Sequence, residues 1–150
     1  MQPLRYGILS TSSIAPRFIA AVRAAKAGQI VALSSRTLEK AQEKAAAWNI
    51  PRFYGSHPQL LEDPGVDIVY ISAVNSQHYP LAKAALEHGK HVICEKPCTT
   101  SSAHTEELFA LAKEKKLFFM EAEKMLFLPA VLTLQKRIAD GFLAMSTWPS

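Results

Sequence analysis

The chain is poor in cysteine and has no long apolar run, and each of these features argues against a class of protein. Among its 150 residues, two are cysteine. Two cysteines are too few for a disulfide scaffold. Cys94 and Cys98 lack nearby partners for a zinc site, so we expect no metal. Because no run of about 18 apolar residues occurs, we expect no membrane span.

The N-terminus and the charge pattern exclude further classes. The first residues lead directly into strand-like sequence, without the basic and apolar stretches of a secretory signal, so we expect a cytoplasmic protein. The net charge is +4, but the Lys and Arg residues are scattered among acids and are not interleaved with aromatic residues. This pattern is typical of solvated helix faces and does not predict nucleic-acid binding. A few positive charges remain available for an anionic small ligand.

The chain does have six short apolar segments that alternate with amphipathic ones. We predict strands at residues 4–9, 29–34, 53–54, 67–71, 91–94 and 117–120. Helices are predicted at 12–27, 37–48, 57–61, 77–88, 101–115 and 129–140. The strands are apolar throughout, as expected when both sheet faces are covered. We therefore predict an α/β fold, a doubly wound parallel sheet of the Rossmann type, over residues 1–140, with a tail at 141–150.

The turn after the first predicted strand has the position of a dinucleotide fingerprint, G-x-G-x-x-G or G-x-G-x-x-A. The corresponding residues are Ser10, Thr11, Ser12, Ser13, Ile14 and Ala15. Serine replaces both earlier glycines, although serine disfavours a positive φ. The backbone amides and hydroxyls of this turn can still hold a pyrophosphate at a helix N-terminus, so residues 10–14 are candidate cofactor contacts. A serine-rich helix cap without a ligand explains this turn equally well.

The end of the second predicted strand carries Ser35 and Arg36 and has no acidic residue. An NAD site usually has Asp or Glu about 20 residues after the glycine turn, where it binds the ribose 2′-hydroxyl. Arg36, with Lys40 one turn further on, suits a 2′-phosphate instead, because guanidinium binds phosphate through two hydrogen bonds. A surface arginine is the alternative, but the helix dipole disfavours a cation there. If a dinucleotide binds, we predict NADP, with NAD less favoured.

A lysine follows the fifth predicted strand, in the segment Glu95-Lys96-Pro97. Open α/β sheets bind ligands beyond the carboxyl ends of their strands, so this lysine is a candidate site residue. Asn75 and His78 follow the fourth strand and are expected at the same edge. A solvent-facing position at a helix start is the alternative for His78.

Taken in order, these segments resemble the N-terminal domain of the glucose–fructose oxidoreductase/inositol dehydrogenase (Gfo/Idh/MocA) family. Within it they are most similar to the dihydrodiol dehydrogenase and NADP-dependent xylose dehydrogenase branch. The similar segments are the turn after Gly7, residues 35–36, 75–78, 95–97, 120–122 and 127–130. The resemblance covers about residues 3 to 140. It implies hydride transfer between NADP and a sugar, polyol or dihydrodiol-type hydroxy compound.

The resemblance also implies roles for individual residues. Lys96 corresponds to the catalytic lysine, which stabilises developing alkoxide charge or donates a proton at the reacting oxygen. Glu95 is expected to orient Lys96, and the bond before Pro97 is a candidate cis peptide. Asn75 and His78 are expected close to the nicotinamide. All five residues belong to the cofactor site that the resemblance implies.

Two departures from the family pattern bear on function. Residues 123–126 replace the aromatic residue and arginine that the family usually has there, at the substrate side of the site. The family's second, α+β domain, which forms the substrate pocket, is also missing from the sequence. We therefore expect a truncated chain, an isolated domain or one piece of a split protein, inactive by itself on sugars. Exposed apolar residues at 125–128 are expected to promote homo-oligomers.

Two other functions remain open at this point. A non-catalytic nucleotide-binding module, or a remnant of an enzyme, keeps the fold and the cofactor site but has lost the chemistry. An unrelated Rossmann-like protein that binds another adenosine ligand is the weaker alternative. Both share the predicted phosphate-binding turn, so titration with different nucleotides is needed to separate them.

Overall fold

A computed structural model describes residues 3–26 and 28–141, and within these residues all strands form one sheet. The strands are β1 (Leu4–Leu9), β2 (Gly28–Ser34), β3 (Arg52–Tyr54), β4 (Ile68–Ile71), β5 (His91–Cys94) and β6 (Phe119–Glu121). Every neighbouring pair is parallel, in the order β3-β2-β1-β4-β5-β6. The predicted doubly wound sheet is confirmed, and its order reverses between β1 and β4, where such folds bind ligands.

Helices connect the strands in the predicted alternation. They are α1 (Ala15–Ala25), α2 (Leu38–Trp48), α3 (His57–Leu61), α4 (Asn75–Glu87), α5 (Ser102–Glu114) and α6 (Pro129–Ala139). Thr37 caps α2, since its side-chain oxygen accepts a hydrogen bond from the Lys40 backbone N–H at 3.3 Å. A 3-10 helix at Lys124–Phe127 was not predicted. None of the helices in the described part of the chain has the length and hydropathy that a membrane crossing needs.

The core lies on both faces of the sheet. One cluster joins α3, α4 and α5 to strand residues such as Leu9, Val69 and Val92. The other joins α1 and α2 to Leu33 and Tyr70 on the opposite face. The two clusters alternate along the strands, because successive side chains point to opposite faces. The apolar strands of the sequence are thus explained by helices on both sides.

The last helix is an exception to this packing. No side chain of α6 is buried, and its main neighbour is the preceding 3-10 helix. The exposed apolar side chains here are Met125, Leu126, Phe127, Leu128, Leu132, Leu134 and Ile138. Beside the 3-10 helix, an apolar hollow of about 290 Å³ lies between α1 and strands β4, β5 and β6. The predicted tail at 141–150 lies, apart from Gly141, outside the described residues.

Candidate functional site

The carboxyl ends of the strands meet at one edge, because the residue after each of five strands extends the hydrogen-bond ladder. Its backbone N–H donates to the last carbonyl of the neighbouring strand, at 2.7–3.2 Å. The five donors are Ser10, Ser35, Ser72, Glu95 and Ala122. Most of the residues that the sequence singled out are therefore brought to the same edge of the sheet.

A cleft of about 600 Å³ opens at this edge, beside the point where the strand order reverses. It is lined by Ser10, Thr11, Ser12, Ser35, Arg36, Lys40, His57, Ala73, Val74 and Gln77. The first six of these residues belong to the set that the sequence predicted. Phosphate oxygens would meet hydroxyl groups and cations here, because none of the lining residues is acidic.

The first turn takes a glycine-like conformation despite its serines. Ser10 has a φ of 85°, in the left-handed region that usually requires glycine. The side-chain oxygen of Ser12 is buried and has no hydrogen-bond partner among the described residues. A buried hydroxyl without a hydrogen-bond partner carries a free-energy penalty. A ligand oxygen that accepts a hydrogen bond from it would remove that penalty. Ser13 is exposed, and Ile14 lines the apolar hollow instead of the cleft.

Two cations dominate the electrostatics of the cleft. Arg36 follows β2 and Lys40 lies in the first turn of α2, and both side chains are exposed. In the described chain, neither cation has a carboxylate within 4 Å. Unpaired cations that flank a set of hydroxyls attract a multiply charged anion. The arrangement suits a phosphate better than a neutral ribose hydroxyl.

His57 belongs to the cleft but is absent from the residues that the sequence predicted. Its Nδ1 lies 2.8 Å from the side-chain oxygen of Ser34, the buried last residue of β2. Burial, and then the charge of Arg36, lower the pKa of His57. The signal that reveals it is topological, because His57 follows β3 and therefore lies at a strand end like the predicted residues.

The Glu95 carboxylate is held by a buried tyrosine. The Tyr70 hydroxyl donates a hydrogen bond to Glu95 Oε1 at 2.6 Å, and the Tyr70 ring stacks on Phe18. Burial, and then the Glu95 hydrogen bond, raise the pKa of Tyr70, so the hydroxyl stays a donor. The Lys96 backbone N–H lies 3.4 Å from Glu95 Oε2. The described contacts of this carboxylate are thus with Tyr70 and with the backbone of Lys96, and Glu95 lines the apolar hollow.

The remaining predicted residues lie outside the lining of the cleft. Lys96 and Pro97 are exposed and are joined by a cis peptide bond. Asn75 is exposed at the first position of α4. His78 is buried, with Nδ1 at 2.7 Å from the Pro97 carbonyl oxygen and Nε2 at 2.9 Å from the Ala73 carbonyl oxygen. His78 therefore ties the end of β4 to the proline segment, and its contact with a cofactor stays a prediction.

Comparison with known proteins agrees with this geometry. Residues 4–123 match the model of an oxidoreductase family described as having an NAD-binding Rossmann fold. The trans-1,2-dihydrobenzene-1,2-diol dehydrogenase of Xenopus laevis is 38% identical over 143 residues, which are 91% of this chain and 43% of that protein. The human enzyme of the same name is 37% identical over 142 residues, which are 93% of this chain and 42% of that protein.

Solved structures of oxidoreductases are also similar to this chain. The 3-ketoreductase KijD10 of Actinomadura kijaniata, solved with NADP and TDP-benzene, has a TM-score of 0.86 at 31% identity. The alignment covers 93% of this chain and 43% of KijD10. An NAD binding oxidoreductase of Klebsiella pneumoniae has a TM-score of 0.89 at 29% identity, covering 93% of this chain and 39% of that one. The chain spans less than half the length of these relatives.

Proposed function

Because the chain belongs to the Gfo/Idh/MocA oxidoreductase family, whose NAD-binding Rossmann domain it carries, we propose that it binds NADP in preference to NAD. The observation that carries this preference is the unpaired pair Arg36 and Lys40 at the end of β2, in a cleft without acidic lining. A 2′-phosphate would be bound by both cations, whereas NAD offers only a hydroxyl there. The NADP in the KijD10 structure supports the proposal.

The residues present fit such a cofactor along the edge of the sheet. The turn at 10–13 would hold the pyrophosphate through its backbone N–H groups and the unpartnered Ser12 hydroxyl. When bound, the nicotinamide supplies the acceptor or donor of a hydride. The Lys96 side chain would stabilise negative charge on the reacting substrate oxygen or give it a proton. Glu95, fixed by Tyr70, would restrain the backbone from which Lys96 extends.

The substrate class follows from the relatives alone. We propose a small hydroxy or keto compound such as a sugar, a polyol or a dihydrodiol, because relatives of this chain are named as dihydrodiol dehydrogenases and a 3-ketoreductase. Conversion of that substrate belongs to a protein of the relatives' full length. We further propose a cytoplasmic protein that self-associates through the apolar side chains at 125–128 and on α6.

Titration of the chain with NADPH and NADH tests the cofactor preference. We expect tighter binding of NADPH, and Arg36→Ala should remove most of the difference, because a charge-assisted hydrogen bond pair contributes about 1.5–3 kcal/mol. Nicotinamide fluorescence measures both dissociation constants. Lys113→Ala, an exposed change on α5, is the matched control and should leave both constants unchanged. Equal affinities for the two cofactors in the unmodified chain would contradict the proposal.

A further inference from the structure

His57 shares the cleft with Arg36 and Lys40, and we infer that it is a pH-responsive donor to the 2′-phosphate of NADP. This inference rests on the proposed NADP preference and adds a specificity-determining residue to it. The cleft is formed by residues that follow β1, β2 and β4, and His57 joins them as the first residue of α3, three positions after the end of β3. Its position at a strand end is the one expected of a ligand-binding side chain.

A contact with the Ser34 side chain fixes the orientation of the His57 ring. Nδ1 lies 2.8 Å from the Ser34 side-chain oxygen, and Ser34 has no exposed surface. Among the residues that the structure describes, Nε2 has no hydrogen-bond partner. One ring nitrogen is therefore anchored on the protein, and the other remains available for a ligand. Because Ser34 and Arg36 are two residues apart, the same strand end positions the imidazole and the guanidinium.

The charges around His57 explain why it would respond to a phosphate. Arg36 from the end of β2 and Lys40 from α2 line the same cleft, and α4 with its preceding turn contributes the uncharged Ala73, Val74 and Gln77. In the free protein, burial and Arg36 lower the pKa of His57, so the neutral ring is favoured near pH 7. A phosphate between these groups offsets the positive charge and favours the imidazolium.

Protonation changes the hydrogen bonds that the His57 ring can donate. In the imidazolium both nitrogens are donors, so Nδ1–H donates to the Ser34 oxygen while Nε2–H donates to a phosphate oxygen. NADP binding would then be coupled to proton uptake by His57. NAD has no phosphate at this position and would bind without that uptake. The preference for NADPH over NADH should therefore rise as the pH falls from about 8 towards 6.5, the usual pKa of histidine.

Calorimetric titration at pH 7, in buffers with different ionisation enthalpies, measures both affinity and proton uptake. For the unmodified chain we expect proton uptake with NADPH and none with NADH. His57→Phe should weaken NADPH binding about tenfold, as loss of a charge-assisted hydrogen bond does, and leave NADH binding unchanged. His57→Gln retains an amide donor but does not titrate, so it should bind NADPH with intermediate affinity and without uptake.

A histidine outside the cleft provides the control for these measurements. His88→Gln changes an exposed histidine at the end of α4, outside the cleft, and should alter neither affinity nor uptake. Thermal unfolding verifies that each variant is folded. An equal loss of NADPH and NADH affinity in His57→Phe, or unchanged uptake in His57→Gln, would overturn the role of His57. If NADPH and NADH bind equally to the unmodified chain at every pH, the proposed NADP preference fails as well.

Discussion

Ser10 adopts a φ of 85° at the place where dinucleotide-binding turns usually have glycine. The left-handed region costs an L-residue with a Cβ roughly 1–2 kcal/mol. Ser10 lines the cleft together with Ser12, whose hydroxyl is buried and has no partner among the described residues. The chain thus retains the backbone shape of a glycine turn and adds hydroxyl groups to it.

Replacement of Ser10 by glycine should increase the stability of the fold. Removing the Cβ relieves the strain, and the greater freedom of glycine in the unfolded chain offsets part of the gain, so we expect about 0.5–1 kcal/mol more stability. Urea unfolding measures the change. Ser13→Gly is the matched control, because Ser13 is exposed and does not have a positive φ. That control should lose stability, and a similar loss for Ser10→Gly would refute the account of strain.

The candidate site could be predicted from the sequence where a residue follows a recognisable fingerprint. Ser12 lies in the fingerprint turn and Arg36 follows at a distance that a β-α-β unit fixes, and both residues line the cleft. His57 was missed because no fingerprint includes it, and β3 is only three residues long. The surroundings of His78 depend on the Pro97 carbonyl, which lies 19 residues further along the chain. Contacts of that kind leave no periodic pattern in a sequence.

The elements were predictable where burial gives them a pattern. Strands β1 and β5 begin and end at the predicted residues because their apolar runs are bounded by polar residues or turns. Helix α4 begins at Asn75, two residues before its predicted start, although Pro80 lies inside it. The 3-10 helix at 124–127 was missed because four apolar or charged residues carry no detectable period. Its position depends on the chain leaving the sheet after β6.

Asp67, the residue before β4, forms an ion pair with Arg5 that acid should weaken. The Asp67 carboxylate accepts hydrogen bonds from the side chain and from the backbone N–H of Arg5, and these bonds lower the pKa of Asp67 to about 2. Because the folded carboxyl group takes up its proton at a lower pH than the unfolded one, the pair stabilises the fold fully above about pH 4. This contribution is lost as the pH falls towards 2.

Asp67→Asn should therefore remove part of the acid sensitivity of the fold. We expect a lower urea midpoint than in the unmodified chain at pH 6, and a difference that shrinks as the pH is lowered from 4 to 2. Glu87→Gln, an exposed change at the end of α4, is the control and should follow the unmodified chain at all pH values. A constant difference between Asp67→Asn and the unmodified chain would show that the ion pair does not titrate as proposed.

The whole molecule covers its sheet unevenly. Helices α1 and α2 pack on one face over β1 and β2, while α3, α4 and α5 pack on the other face. The first face therefore has the apolar hollow over β4, β5 and β6, lined by residues that include Ile93 and Met120. Helix α6 follows β6 but buries none of its side chains there. Apolar surface of this kind is typical of an interaction site.

Self-association through this surface should depend on the 3-10 helix. Sedimentation velocity over a range of concentrations is expected to show oligomers of the unmodified chain. The double change Phe127→Glu and Leu128→Glu should shift the population towards monomer, because two charges oppose burial of the patch. Leu38→Glu alters a leucine that is 51% exposed on α2 and serves as the control. An unchanged distribution in the double variant would assign the contact to another surface.

Every residue that lines the cleft lies between positions 10 and 77, whereas Lys96 follows β5. The residues at the adenosine-binding end of the proposed site therefore precede, in the sequence, the lysine at its hydride-transfer end. Immobilised adenosine 2′,5′-bisphosphate has no nicotinamide, yet it offers the phosphates that the cleft would bind. Affinity chromatography can thus address the adenosine-binding end separately and can sort variants of the serine turn, Arg36 and His57 before any catalytic assay exists.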